Sequence, residues 1–495
     1  MAPSHAPHCR SGVLVHGWDD DFVVDPPAVM LRTDELALAV DGQLLTGRSD
    51  GELDGFSIDS RRIARGDFFL AIRGDRFDGH DFVDEAVRKG AAGVIVSNRS
   101  AVPSITPAGS ELTVIVVSDT TRALQTIARH VRRRAGTRVV AITGSVGKTT
   151  TKELAAAFIA TQYHVVRNAG NLNNHIGLPL SLLELRCKPD VAVVEFGMNH
   201  SGEIRMLVDI AEPNVRVWTN VAEAHSAFFA SMDAIADAKA EVLEGAGPDD
   251  HLVANADDPL VMARIDHFPG TVTTFGVANA ADVRASAVDD AGLNGVRASV
   301  ETPVGSGRLR SSLIGVGNVA NALAAIGVAL QFHIPLDAML RVLATFEPPS
   351  RRGAVIRLTG GVTVVDDSYN SNPTALKQAL VSLGRSAGHR RRVAVLGEML
   401  ELGARSQSLH YVCGRLAAES GFDHIVTVGG VDVMALASAA KAAGLAAGAV
   451  TTCATSEEAA DVVARLVEKD DLVLVKGSHG TRTEVVVDRL KADWS

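Results

Sequence analysis

The stretch TGSVGKTTTKE, residues 143–153, gathers the residue types that can hold a phosphate group. Gly144 and Gly147 let the backbone bend so that several N–H groups converge on phosphate oxygens, and a helix starting there adds its positive N-terminus. Lys148 offers a point charge for a terminal phosphate, and the Thr149 hydroxyl can ligate Mg²⁺. With Ser145 and Thr150 these residues form the expected nucleotide-binding set. The loop departs from G-x-x-x-x-G-K-[ST] at its first position, where Ile142 stands. RVVAI before it reads as a buried strand and KELAAAFIATQ after it as an amphipathic helix, the opening of a doubly wound sheet.

Such a loop would serve a motor, a switch, a kinase or a ligase equally well, because all need positioned charge around a phosphoryl group. Its companions discriminate. Glu195 ends the apolar run DVAVV, where a carboxylate at the carboxyl end of a strand can hold Mg²⁺. His225 follows the strand-like VRVWTNV at a comparable place. Lys239, in IADAKAEVLEG, is by composition a surface lysine.

These residues need a scaffold. The 495 residues exceed one core and predict about three domains. Residues 31–42 read as a short helix, and DFFLAI and AGVIVS as strands around the helix FVDEAVRKGA. Strand and loop pairs recur at 190–198, 215–221, 250–258 and 271–277, the pattern of a mostly parallel sheet covered by helices. Residues 282–313 alternate polar and apolar positions between glycines and predict antiparallel hairpins. FEPPSRRG at 346–353 reads as a linker, and four strand-like runs beyond it predict a second, smaller Rossmann-like sheet.

Hydrophobic residues at 46% and charged ones at 21% fit an ordinary globular chain. A net charge of −10 argues against nucleic acid as a partner, and the basic clusters at 131–134 and 389–392 read as solvated faces. The four cysteines form no CxxC pair, so neither a zinc knuckle nor a disulfide framework is expected. With no signal-peptide pattern and no apolar run long enough to span a bilayer, the expectation is a cytoplasmic protein without membrane insertion.

The ordered motifs TGSVGKTTTKE, GNLNNHIGLP, VVEFGMNHSGEI, TNVAEAH, AKAE and NADDP resemble the central domain of the Mur ligase family. SIDSRRIARGDFFLAIRGDRFDGHDF near the N-terminus, and VVDDSYNSNPTAL, LGEMLELG and LVKGSHG near the C-terminus, are most similar to the members that add D-alanyl-D-alanine. Gly317, where relatives carry histidine, and Ser350, where they carry glycine, are the two departures.

The resemblance implies an α/β, three-domain Mur ligase architecture: a small α/β N-terminal domain (31–125) after an extension (1–30), a central P-loop parallel-sheet ATPase domain (126–348) and a C-terminal Rossmann-like domain (349–495). It implies ATP and two Mg²⁺ ions as cofactors, and UDP-N-acetylmuramoyl-tripeptide and D-alanyl-D-alanine as substrates, joined through an acyl phosphate. Thr149 and Glu195 would hold one ion, and His225 with a carbamylated Lys239 the other. Lys148, His225, Lys239 and Arg352 would be the catalytic set. Asn318 and Asn321 match adenine contacts, Asp367 a ribose ligand, and Arg352 a cation that reaches the phosphates when the domains close. Ser60, Arg61, Asp78 and His80 match the uridine-diphosphate end, Asn173 and Asn174 the muramoyl peptide, and Asn370 and Asn372 the dipeptide side. A monomer is expected. The competing readings are a Mur-type ligase with another acceptor, a P-loop switch or ATPase, and a non-catalytic Mur-like nucleotide-binding protein.

Overall fold

The structure is a computed structural model that describes residues 29, 31–51, 53, 55–74, 76–101, 112–223 and 226–495. The 1–30 extension, apart from Val29, and His225 therefore lie outside the described residues. The chain divides into two compact units, the first holding residues up to Ala141 with 162–198 and 202–214, the second holding Ile142–Thr161, 199–201 and Val215–Ser495.

In the first unit, five strands lie in the order Gln43–Thr46, Thr113–Val116, Gly93–Val96, Asp67–Leu70, Gly55–Ser57. Only the first pair is antiparallel. Phe69, Val94, Val96 and Val114 pack there with Val83 and Ala86 of the helix Val83–Arg88. A longer helix, Thr120–Ala135, starts where Asp119 accepts from the Thr121 and Arg122 amides and stops at Gly136 in the left-handed conformation. Within it, Arg132 corrects the solvated-face reading of the 131–134 cluster. It is buried and donates to the Ala211 and Glu212 carbonyls, closing the C-terminus of the helix Glu203–Ala211. Cys413 and Cys453 are free and buried.

The second unit carries two sheets. One runs Val215–Trp218, His251–Asn255, Thr271–Gly276 and Val283–Asp290 in parallel, then turns antiparallel through Val296–Thr302 and Gly305–Ser311, as the hairpin pattern of 282–313 predicts. The helices Lys148–Ile159 and Val316–Leu330 pack on each other, and Gly327 lets the second lie close to Val253. The other sheet has the order Ala354–Arg357, Thr363–Asp367, Asp471–Lys476, Arg391–Gly397, His424–Val428, Val450–Cys453. Two of its six strands, Ala354–Arg357 and Val450–Cys453, go beyond the four predicted ones. Both lie at sheet edges, where half-exposed residues weaken the apolar signature. Apolar layers cover both faces, one around Leu396, Leu474 and Phe422, the other around Val395, Val475 and Val487. In the 389–392 cluster, Arg391 is held by a bidentate pair to the fully buried Asp471 rather than by solvent.

Among the described residues no helix is long and apolar enough to cross a membrane. In the C-terminal sheet's helical layer, Gly414 of Ser406–Glu419 faces the Leu436 backbone so closely that a Cβ would overlap its carbonyl oxygen. Gly414→Ala should therefore lower stability by about 1–3 kcal/mol despite its better helix propensity, read as a lower denaturation midpoint.

Candidate active site

The phosphate loop is held by a second segment of the same unit, residues 219–222. Ser145 N–H donates to the Asn220 carbonyl at 3.1 Å, and Val146 N–H to the Asn220 side-chain oxygen at 2.9 Å. The Thr219 hydroxyl and the Asn220 amide both donate to the Val146 carbonyl. Ser145 and Ala222 exchange hydrogen bonds, the Ser145 hydroxyl donating to the Ala222 carbonyl and accepting from its N–H. Gly144 and Gly147 both have positive φ, and a Cβ at either would overlap Thr219 Oγ1 or Asn321 Oδ1. Close approach requires glycine at both places. Lys148 opens the helix and folds its Nζ onto the Gly144 carbonyl at 2.8 Å. Loop, cation and helix N-terminus thus fit an anionic phosphate chain.

Lys239 overturns its surface reading, being buried on the helix Met232–Ala240. Burial first, and the Lys148 charge second, hold its ammonium well below the ordinary lysine value. The neutral amine is correspondingly favoured.

Glu195, in the first unit, is also buried, at the end of the strand Val191–Glu195. Its carboxylate accepts from Asn173 Nδ2 at 2.6 Å, and its N–H donates to the side-chain oxygen of the buried Asn168. Asn173, matched by resemblance to the peptide substrate, here orients the carboxylate. Asn168 escaped the sequence reading because a lone asparagine between a strand and a loop has no distinguishing pattern. Asn174 accepts from the Ile176 and Gly177 amides, forming the turn ahead of the helix Gly177–Leu183.

Asn321 lies between Gly147 and Asn318, its Nδ2 donating to Asn318 Oδ1 at 2.9 Å, while Asn318 Nδ2 donates to the Ile314 carbonyl. Gly317 has a physical correlate: a Cβ there would come within 2.5 Å of Gln378 Oε1, so Gln378 fills space next to that position.

From the linker, Arg352 Nη2 donates to Thr149 Oγ1 at 3.1 Å. Asp367 ends the strand Thr363–Asp367 and pairs at 2.6 Å with Lys476, a buried residue that also donates to the Asn370 carbonyl. Lys476 was missed, although LVKGSHG drew notice as a motif. Asn370 accepts from the Ser371 amide, and Asn372 caps the helix Pro373–Gly384 through Ala375 N–H.

In the first unit, Ser60 and Asp78 follow the carboxyl ends of adjacent parallel strands. Ser60 is buried and donates to Glu85 at 2.8 Å. Arg61 is exposed and pairs with Asp59, whose carboxyl the guanidinium lowers to about 2. Asp78 accepts from His80 N–H and Nδ1, leaving His80 Nε2 to accept from Ser97 N–H.

Three family models match in order: the Mur ligase family catalytic domain over residues 52–132, the Mur ligase middle domain over 142–329, and the Mur ligase glutamate ligase domain over 351–479. The UDP-N-acetylmuramoyl-tripeptide–D-alanyl-D-alanine ligase of Bacillus subtilis is 32% identical over 88% of this chain and 93% of its own. The crystal structure of MurF from Acinetobacter baumannii superposes with a TM-score of 0.83 at 31% identity, over 94% of this chain and all of that one. MurF ligase from Thermotoga maritima, in complex with ADP, superposes at 0.76 with 28% identity, over 88% of this chain and 97% of its own. With its nucleotide loop, its buried lysine and its three α/β domains, the chain belongs to the Mur ligase family, MurF type.

Proposed function

We propose that the chain is an ATP-dependent amide ligase that joins D-alanyl-D-alanine to UDP-N-acetylmuramoyl-tripeptide in peptidoglycan precursor synthesis, releasing ADP and phosphate. The observation that carries this reading is the reach of Arg352, from the linker, to Thr149 at the head of the phosphate-loop helix. Relatives with that named activity, matching over most of both chains, support it.

A carboxylate is a poor acyl donor, and its attack on a triphosphate is opposed by like charge. Lys148 and Arg352 bring two cations toward the phosphates, and the loop amides hold them in line. The tripeptide carboxylate attacks the γ-phosphorus, breaking its bond to the bridging oxygen of ADP and giving an acyl phosphate. The dipeptide amine then adds to the acyl carbon, and phosphate leaves with the original carboxylate oxygen. Asp367, aligned by Lys476, is suited to the ribose hydroxyls.

Mg²⁺ supplies charge neutralisation on the phosphates when bound. Thr149 and Glu195 are the proposed holders of one ion, and His225 with carbamylated Lys239 of a second. Among the described residues no three His, Cys, Asp or Glu side chains gather. Mg²⁺ commonly takes only one or two carboxylates besides phosphate and water oxygens. The loops at Ser60, Arg61, Asp78 and His80 are proposed for the uridine end, Asn173 and Asn174 for the muramoyl peptide, Asn370 and Asn372 for the dipeptide, and Asn318 and Asn321 for adenine. Domain boundaries near 30, 125 and 348, a monomeric state and a cytoplasmic location belong to the same reading.

Incubation with ATP, UDP-N-acetylmuramoyl-tripeptide and D-alanyl-D-alanine should give the pentapeptide by mass spectrometry, and Lys148→Ala should lower kcat by at least about a hundredfold. ATP hydrolysis independent of both other substrates would contradict the assignment. For Lys239, a depressed pKa leaves the amine neutral at higher pH, where it can react with dissolved CO₂. As pH falls through that pKa the amine protonates, so activity should drop on the acid side. Removing dissolved CO₂ should also lower activity, and bicarbonate should restore it; indifference to CO₂ would exclude a carbamate.

A further inference from the structure

Arg352 reaches the phosphate loop on a side chain with four rotatable bonds, so something must hold its guanidinium. Its Nη2 bonds Thr149, while its buried Nε has no hydrogen-bond partner among the described residues. It also makes an aromatic contact: the Arg352 Cζ lies 4.0 Å from the centroid of the Tyr369 ring. That ring in turn stacks on His479, with centroids 5.8 Å apart and planes 29° from parallel.

The backbone explains why these residues meet. Ala354–Arg357 and Thr363–Asp367 form an antiparallel ladder with Ala354 opposite Asp366. Beyond its end, Gly353 N–H donates to the Asp366 carbonyl at 2.9 Å and Tyr369 N–H to the Arg351 carbonyl at 3.1 Å. Arg351 sits at φ +60°, a left-handed turn in the chain just before Arg352. The ring therefore occupies a fixed position beside the arginine that the linker delivers. His479 comes from the turn after the strand Asp471–Lys476, whose last residue pairs with Asp367.

We infer that Tyr369 is a positioning residue for the ligation reaction: its ring face holds the Arg352 guanidinium at Thr149, where it can meet the terminal phosphate, and His479 steadies the ring. The face is what matters, since a cation over a π-system is attracted by the ring quadrupole, and a planar guanidinium stacks where an ammonium does not. This inference rests on the proposed nucleotide-dependent ligation, and its test separates the two. Tyr369 is half-exposed and outside both apolar layers of its sheet, so substitutions there leave the core intact.

The full-length chain and its Tyr369→Phe, Tyr369→Leu, Arg352→Lys and Tyr369→Leu/Arg352→Lys variants are compared in two assays: kcat and KM for ATP in ligation, and calorimetric affinity for a non-hydrolysable ATP analogue against ADP. Tyr369→Phe should stay within about twofold of the wild type. Tyr369→Leu should lose about five- to thirtyfold in kcat, with KM changed much less, and should lose a similar factor in preference for the triphosphate over ADP. The double variant should be little worse than Arg352→Lys alone, because both remove one interaction. An unchanged Tyr369→Leu, a Tyr369→Phe as impaired as the leucine variant, or additive losses would overturn the inference. A wild type that binds the analogue yet makes no pentapeptide would remove the ligase reading and leave the affinity comparison to decide on Tyr369.

Discussion

The interlock between the phosphate loop and residues 219–222 is the constraint from which the second unit's site is built. Two glycines at positive φ lie so close to Thr219 and Asn321 that no side chain fits, and both polar groups of the Val146 peptide, like the Ser145 amide and hydroxyl, are satisfied by the facing segment. A loop with its backbone groups fixed in this way keeps its remaining N–H groups in place without reorganising when charge arrives. Three side chains of the site meet that loop or its helix: Lys148 at the head of the helix, Asn321 against Gly147, Arg352 at Thr149.

The charges follow a shared logic of burial with compensation. Lys476 is buried yet lies 2.6 Å from Asp367, and the fully buried Asp471 has Arg391 across it. A buried ion is tolerable when an opposite charge and hydrogen bonds replace its water. Lys239 is different: the charge acting on it is another cation, Lys148, which adds to burial in disfavouring the ammonium. A lysine so placed favours its neutral form.

Turn residues in each unit fix local geometry with their side chains. Asn372 caps a helix, Asn174 closes the turn ahead of another, and Asp78 fixes the His80 ring while starting its own turn. Such caps use one acceptor atom and leave the rest of the side chain for other contacts, so local stabilisation and ligand binding are compatible at one residue.

The sequence by itself determined the elements and the loop. Apolar runs of strand length, glycines flanking a lysine, and alternation between residues 282 and 313 are local signals, and they correspond to the strands, the phosphate loop and the antiparallel extension. The two edge strands of the C-terminal sheet were illegible because edge residues are half-exposed and carry little periodic signal. Tertiary structure alone decided the partners: that Lys239 is buried, that Arg132 closes another helix, that Asn168 and Asn173 flank Glu195, that Lys476 pairs with Asp367, and that Tyr369 lies under Arg352. Each of these joins residues many positions apart, or depends on solvent exclusion by layers that fold over a residue, and neither quantity is encoded in the spacing of its neighbours along the chain.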